Sequence, residues 1–301
     1  MLSPSRWSGE DPGERPSGKH TIFDRTIGVV LFTWRHPANR AHRIQRVSRV
    51  ARFQVLGRLT GRRAIAPVGT HSRLWADAGT YISARALYAN PLDWNEMLVW
   101  QRVLHHGALF VDVGANVGLY TIWALDMGAD VLAVEPNRRS VEQLEENLSL
   151  NGYHAEIAKV ALGEAPGTLT MTTDLDQRNH LVLAASGDKS DGAGSGTTET
   201  VEVQTLDDLI GDRVVDGLKI DVEGAELLVL KGATRLLAAR RIKLIQMEWN
   251  YLSEEMLGQD RSAVAALLDA AGYDLFRPDH HGELVALDGL GFGADVFAKP
   301  R

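Results

Sequence analysis

Cysteine is absent from the 301 residues, which excludes disulfides, thiolate metal sites and a cysteine nucleophile, and leaves the redox compartment open. Long apolar runs are lacking as well. The longest near the start, Ile27-Gly-Val-Val-Leu-Phe32, is far too short to cross a bilayer. No basic region followed by an apolar stretch and a small-residue cleavage site opens the chain, so a cytoplasmic location is the expectation. Basic patches interleaved with aromatics and DNA-reading motifs are missing, and no nucleic-acid partner is expected. His280 and His281 are adjacent in an expected loop, but no histidines converge as ligands, so no metal site is assigned.

With 45% hydrophobic and 24% charged residues, the chain suits one large α/β domain plus an appendage, or two small domains. The net charge of −7 conceals an asymmetry. Residues 1–75 hold 14 Lys+Arg against 4 Asp+Glu, a balance of +10, while the rest holds 18 against 35, a balance of −17. A basic arm of this kind can bind an anionic surface or another protein, and it offers a route to a homo-oligomer. The plainer expectation is that it packs its arginine stems on its own acidic body.

Residues 1–19 are rich in Pro, Gly, Ser and charge, and read as a disordered tail. Residues 20–92 read as a basic helical and hairpin extension. Its helix is expected from Asn39 to about Arg58, with Ile44, Val47, Val50 and Phe53 on one face and Arg40, Arg43, Arg46, Arg49 and Arg52 on the next. Gly69 and Gly79 mark hairpin turns. From residue 93 to 301, short apolar runs alternate with helical periods. The runs are Leu109–Val113, Val131–Glu135, Leu218–Asp221 and Ile242–Glu248, and two closing strands lie near Asp274–Phe276 and Ala294–Ala298. One helix is expected to open at Ser140, with Gln143 in capping-box spacing, and another to carry Leu227, Leu230 and Leu237. Such alternation predicts right-handed βαβ units, and hence an α/β fold with a mostly parallel seven-stranded sheet. A Gly/Ser/Thr/Asp segment at about 184–199 predicts a flexible loop, either a lid or a tolerated insertion.

The turn Val111-Asp-Val-Gly-Ala-Asn-Val-Gly118 joins the first parallel strand to its helix. A dinucleotide site would show Gly-x-Gly-x-x-Gly, but Asn116 replaces the second glycine and Gly118 falls one residue early. Asp112 would also repel a pyrophosphate. Glu135 ends the second strand, 21 residues after Gly114, where a sheet of this kind offers a carboxylate to two ribose hydroxyls. A nucleoside with a positive centre and no pyrophosphate satisfies both conditions, and S-adenosylmethionine is such a ligand. The stretch Leu218-Lys-Ile-Asp-Val-Glu-Gly-Ala-Glu226 crowds acids at the end of another strand. Glu226, in the first turn of the next helix, is accounted for by the helix dipole. Asp221 and Glu223 are not.

FVDVGANVGLYT, AVEPN, TLDDL, LKIDVEGAELLVLKGA and IQMEWN, in order within about residues 93–298, resemble the successive signatures of the FkbM-type S-adenosylmethionine-dependent methyltransferases. RHPANR and FQVLGRLTGRR resemble the lead-in segment of some members. The resemblance implies a Rossmann-like class I methyltransferase fold, S-adenosylmethionine as cofactor, and methyl transfer, usually to a hydroxyl of a sugar or natural product. It implies that Asp112, Gly114, Ala115, Asn116 and Gly118 surround the methionine part and sulfonium. Glu135 would hold the ribose and Pro136 and Asn137 would shape the adenine edge. A turn near Ala161, Leu162 and Gly163 would close over the adenine, with Glu164 the nearest acid.

Asp221, beside the donor, Glu223 and Glu248 are candidates for the base that would accept the acceptor's proton, and His180 is a fourth. The same acids with water would suit Mg²⁺ orienting a sugar diol, a less favoured reading. They would also serve structurally, capping a helix or holding Lys219 or Lys231. Two competitors remain open: N- or carboxyl-methylation on the same scaffold, and a non-catalytic protein using its basic arm on an anionic partner.

Overall fold

The structure, a computed structural model, describes residues 22–78, 81–172, 181–182, 198–222, 224–249, 261–291, 293 and 295–301. The tail 1–19, His180, Glu223 and the loop residues 184–197 lie outside them. No helix among the described residues is long and apolar enough to cross a membrane.

The extension begins with α1 (Ile22–Arg35), a 3-10 turn at Pro37–Asn39 and α2 (Arg43–Thr60). It continues through β1 (Ala64–Val68), β2 (Ser72–Ala76) and α3 (Tyr81–Arg85). α1 occupies a stretch read from sequence only as an apolar run. α2 starts later than expected because Asn39 is drawn into the fold, where its buried Nδ2 donates to the carbonyls of Thr33 and Tyr88 at 2.9 and 2.6 Å. The β1–β2 hairpin is fastened by Asp126, whose carboxylate accepts from the Thr70 and His71 amides and the Ser72 hydroxyl. Ala66, Val68, Leu74 and Ala76 of the hairpin share one apolar cluster with Trp100, Phe110 and Val131 of the body.

The body comprises α4 (Trp94–Val103), β3 (Leu109–Val113), α5 (Leu119–Asp126), β4 (Asp130–Val134), α6 (Arg138–Asn151) and β5 (Glu156–Ala158). Next come β6 (Ala161–Leu162), β7 (Gly167–Thr172), β8 (Leu181–Val182), β9 (Thr198–Gln204), α7 (Leu206–Ile210) and β10 (Gly217–Ile220). Then follow α8 (Glu226–Lys231), α9 (Thr234–Ala238), β11 (Ile245–Met247), α10 (Ser262–Ala270), β12 (Tyr273–Pro278), β13 (Leu284–Ala286) and β14 (Val296–Pro300). The central sheet has the order β13-β12-β14-β11-β10-β3-β4-β5. β5, β4, β3, β10 and β11 are parallel; β14 runs against them, β12 runs with them on the far side of β14, and β13 is again reversed. The fold is thus α/β with a mixed, mainly parallel sheet, as the alternation predicts.

Several details differ from the sequence reading. The central sheet has eight strands instead of seven, because β13 pairs with the outer edge of β12. β6, β9, β7 and β8 form a separate four-stranded sheet, and β9 takes up the last residues of the expected loop. α6 opens at Arg138, since Asn137 is its cap and accepts from the Ser140 amide at 3.0 Å; Ser140 is a donor inside the helix. The single helix expected after Gly224 is broken into α8 and α9 at Gly232. There the backbone passes so close to the Gly163 carbonyl that a Cβ would collide with it. Asp207 then caps α9 by accepting from the Arg235 and Leu236 amides at 2.8 and 2.9 Å.

Chain order turns around between β3 and β10. From β3 the chain moves outward through β4 and β5, and it returns to β10 on the other side. A crevice at the carboxyl ends of these two strands is where open α/β sheets bind ligands.

Candidate active site

Strand register brings the sequence-predicted residues into one row. Val134, Val113, Ile220 and Met247 pair across β4, β3, β10 and β11. The next residue on each strand is Glu135, Gly114, Asp221 and Glu248. Their amides continue the ladder, donating to the carbonyls of Ala158, Val134, Val113 and Ile220 at 3.0, 2.9, 3.0 and 3.2 Å. The glycine turn is pressed against Asp221. Gly114 has φ +79°, and a Cβ there would strike the Asp221 carbonyl oxygen. A residue with a side chain would therefore push β3 and β10 apart.

Glu135 is 6% exposed, and its two carboxylate oxygens accept from the Asn116 and Asn137 amides at 2.8 and 2.9 Å. It thereby binds the turn after β3 to the turn after β4. Asn116 itself lies at φ +50°. Burial pushes the Glu135 carboxyl up to about 7, against the pull of those two amides. Asp112 is buried beneath the turn. Its Oδ2 accepts from Thr121 Oγ1 at 2.7 Å, while its Oδ1 has no hydrogen-bond partner among the described residues. Burial raises the Asp112 carboxyl, and Lys219 and Thr121 offset part of that rise.

A second polar row, two residues further back, escaped the sequence reading. Asp112, Lys219 and Gln246 are register partners on β3, β10 and β11. Lys219 Nζ contacts Asp221 Oδ2 at 2.7 Å and lies 4.5 Å from the centre of the Tyr120 ring. Burial alone would push the Lys219 ammonium down, but the Asp221 and Asp112 carboxylates outweigh it and hold it above the ordinary lysine value. Gln246 Nε2 donates to Asp295 Oδ2 at 2.6 Å and to the Tyr120 hydroxyl at 3.3 Å, and its Oε1 accepts from Trp100 Nε1. Glu96 and Asp295 are raised by burial and by neighbouring carboxylates, and Tyr120 is held neutral by burial and by Asp93, Glu96 and Asp295. The signal for this row was a polar residue second from the end of three apolar runs, in Val-Asp-Val, Leu-Lys-Ile and Ile-Gln-Met.

The remaining expectations divide. Ala161 and Leu162 are buried in strand β6, paired with Val203 and Gln204, where a turn was expected. Glu164 is engaged by Lys231 at 3.0 Å. Pro136 is half-buried beside Glu135, and Asn137 caps α6. Ala115 and Gly118 hold the turn together through an amide-to-carbonyl bond of 2.9 Å. Glu226 lies in the first turn of α8, as expected, but it is fully buried there and paired with Arg261. Among the described residues no group of three or more His, Asp or Glu side chains is placed to hold a metal ion.

Residues 112–275 match the Methyltransferase FkbM domain family, more than half of the chain. The protein belongs to this family. Its relatives include Methyltransferase sdnD of Sordaria araneosa, 29% identical over 197 residues, covering 56% of this chain and 74% of that one. Methyltransferase 1 of Beauveria bassiana is 30% identical over 148 residues, covering 42% of this chain and 58% of the relative, so the matched part spans less than two thirds of that protein. Among solved structures, the ribosomal protein L11 methylase of Lactobacillus delbrueckii subsp. bulgaricus aligns with a TM-score of 0.40 and 12% identity, covering 79% of this chain and 99% of that one.

Membership in the FkbM family implies S-adenosylmethionine as methyl donor, and the residues fit it. An ionised carboxylate has about four lone-pair sites, and Glu135 spends two on amides, leaving one on each oxygen for vicinal ribose hydroxyls. The unpartnered Oδ1 of Asp112 suits a positive group at the turn.

The raised carboxyls carry a pH signature. Glu135, Glu96, Asp295 and Asp112 keep protons in the folded chain at a pH where the unfolded chain has released them. Their stabilisation is complete below the ordinary carboxylate range and is lost as pH rises, through about 7 for Glu135. His36, pushed below 6.5 by burial, acts in the opposite sense but is largely spent above 6.5. Without donor, the Tm of this FkbM methyltransferase should fall between about pH 6.5 and about pH 8, less steeply in Glu135→Gln. A rising Tm would show these carboxyls to be ionised and paired.

Proposed function

We propose that this FkbM methyltransferase transfers a methyl group to a hydroxyl oxygen of a sugar or other natural-product small molecule, with a strand-end carboxylate as base. The observation that carries the reading is the contact between the glycine turn and Asp221. It sets a carboxylate whose side chain is 42% exposed beside the turn that would hold the donor's methionine part. When bound, S-adenosylmethionine supplies an electrophilic methyl group, so no covalent enzyme intermediate is needed. Glu135 binds and orients the ribose, and the turn Gly114–Gly118 fixes the rest of the donor. Holding both reactants in line supplies up to roughly 7–11 kcal/mol. Asp221 would take the proton of the acceptor hydroxyl as that hydroxyl's oxygen bonds to the methyl carbon and the carbon–sulfur bond breaks, with the neutral thioether as leaving group. Tyr120, held neutral, is not that base. Asp295, linked to the same polar row through Gln246, is the second candidate.

Replacing Asp221 by Asn should leave the affinity for S-adenosylhomocysteine unchanged and lower kcat by about 10²–10⁴. Calorimetry and transfer of labelled methyl to a panel of hydroxylated acceptors measure the two effects. Loss of turnover in Asp295→Asn alone would move the base to Asp295. Methyl transferred only to nitrogen or carboxylate, or no binding of either donor form, would refute the proposal.

A further inference from the structure

Eleven large apolar side chains are exposed among the described residues, and eight of them lie between Ile27 and Ile65. α1 is apolar on two sides. Val29 and Phe32 pack inward, while Ile27, Leu31 and Trp34, spaced four and three residues apart, form an outward stripe with 41–43% of each residue exposed. On α2, Ile44, Val55 and Leu59 are 76%, 58% and 77% exposed. Spacings of 11 and 4 put these three on one outer line, opposite the buried Val50, Phe53 and Gly57, so Ile44 does not share the face of Val50 and Phe53 that the three-residue spacing predicts. Arg43 stacks 5.6 Å from the Trp34 ring centre and joins the two stripes at the turn.

The same segment has one sign of charge. From Arg25 to Ala76 there are 11 Arg and no Asp or Glu. The expected packing of arginine stems on the acidic body is realised by Arg63, which reaches Glu146 at 2.6 Å. Arg35, Arg52, Arg58 and Arg62 are exposed, and no acid lies within ion-pair distance of them among the described residues.

We propose that the α1–α2 pair docks the protein on an anionic lipid bilayer, with the apolar stripes in the headgroup boundary and the arginines on lipid phosphates. An apolar stripe containing a tryptophan and flanked by cations matches such a surface on both counts. An isologous dimer through this face would set arginines against arginines. A nucleic acid would satisfy the charge and leave the stripes wet.

The test uses the full chain and co-sedimentation with vesicles of phosphatidylcholine, with or without phosphatidylserine. Binding is expected only to the phosphatidylserine vesicles and should weaken with added salt. The pair L31E and L59E should reduce it at least ~10-fold, and the pair R52E and R58E should reduce it as well, with S-adenosylhomocysteine affinity unchanged. That affinity separates lost docking from lost folding and from failure of the functional reading. Absence of binding to anionic vesicles at low salt would overturn the proposal, as would indifference to both pairs. So would a dimer in light scattering that the same substitutions dissolve, or binding to an oligonucleotide in preference to vesicles.

Discussion

Arg261→Met is expected to destabilise the protein by about 3–5 kcal/mol, because it leaves a carboxylate buried without its cation. Glu226 and Arg261 have side chains 0% and 1% exposed and meet at 2.9 Å between Oε2 and Nη1. The other oxygen, Oε1, accepts from the Gly224 amide at 3.0 Å, and the guanidinium lies 5.2 Å from the Trp249 ring centre. With Arg261 gone, Glu226 must remain charged in an apolar site or take up a proton, and each option costs free energy. Changing both residues to apolar ones of similar volume should cost less than either single change, since no orphaned charge remains. Urea unfolding at constant m measures the effect. A loss for Arg261→Met of under about 1 kcal/mol would mean that water reaches the pair. Turnover should also fall in this variant, because Glu226 holds Gly224, three residues after Asp221.

Glu135→Ala is expected to weaken binding of S-adenosylhomocysteine by roughly 10²–10⁴-fold. Two charge-assisted hydrogen bonds to ribose, at about 1.5–3 kcal/mol each, set that range. The substitution also strips the Asn116 and Asn137 amides of their acceptor, so the two turns lose the link that preorganises them. Glu135→Gln should fall between, since it keeps one acceptor oxygen but turns a donor toward one of the two amides. Titration calorimetry on protein shown to be folded by circular dichroism separates these variants. An affinity unchanged in Glu135→Ala would place the ribose away from β4.

Both experiments bear on what local pattern conveys. Glu135, Gly114 and Asp221 were legible because each lies one step beyond a short apolar run, and apolar runs of this length become strands. Their alignment in one row follows from parallel register. The same logic failed for Glu226, whose position in the first turn of α8 offered a sufficient local explanation. Its partner is 35 residues away, and no periodicity connects a helix start to a residue preceding α10. Ser140 misled for a related reason. Ser140 and Gln143 have cap spacing, but Asn137 reaches the helix first and its side chain satisfies the Ser140 amide.

The sequence by itself determined the alternation of strands and helices, the glycine turn, the acids at the strand ends and the net positive balance of the first quarter of the chain against a net negative remainder. These depend on neighbours within a few residues, where propensity and periodicity act. Only the tertiary structure decided the Asp112–Lys219–Gln246 row, the Glu226–Arg261 pair, the break at Gly232 and the apolar stripes of α1 and α2 that face outward. Each of these depends on which distant segment comes to lie alongside, and burial converts such a meeting into a pairing, a collision or an exposed face.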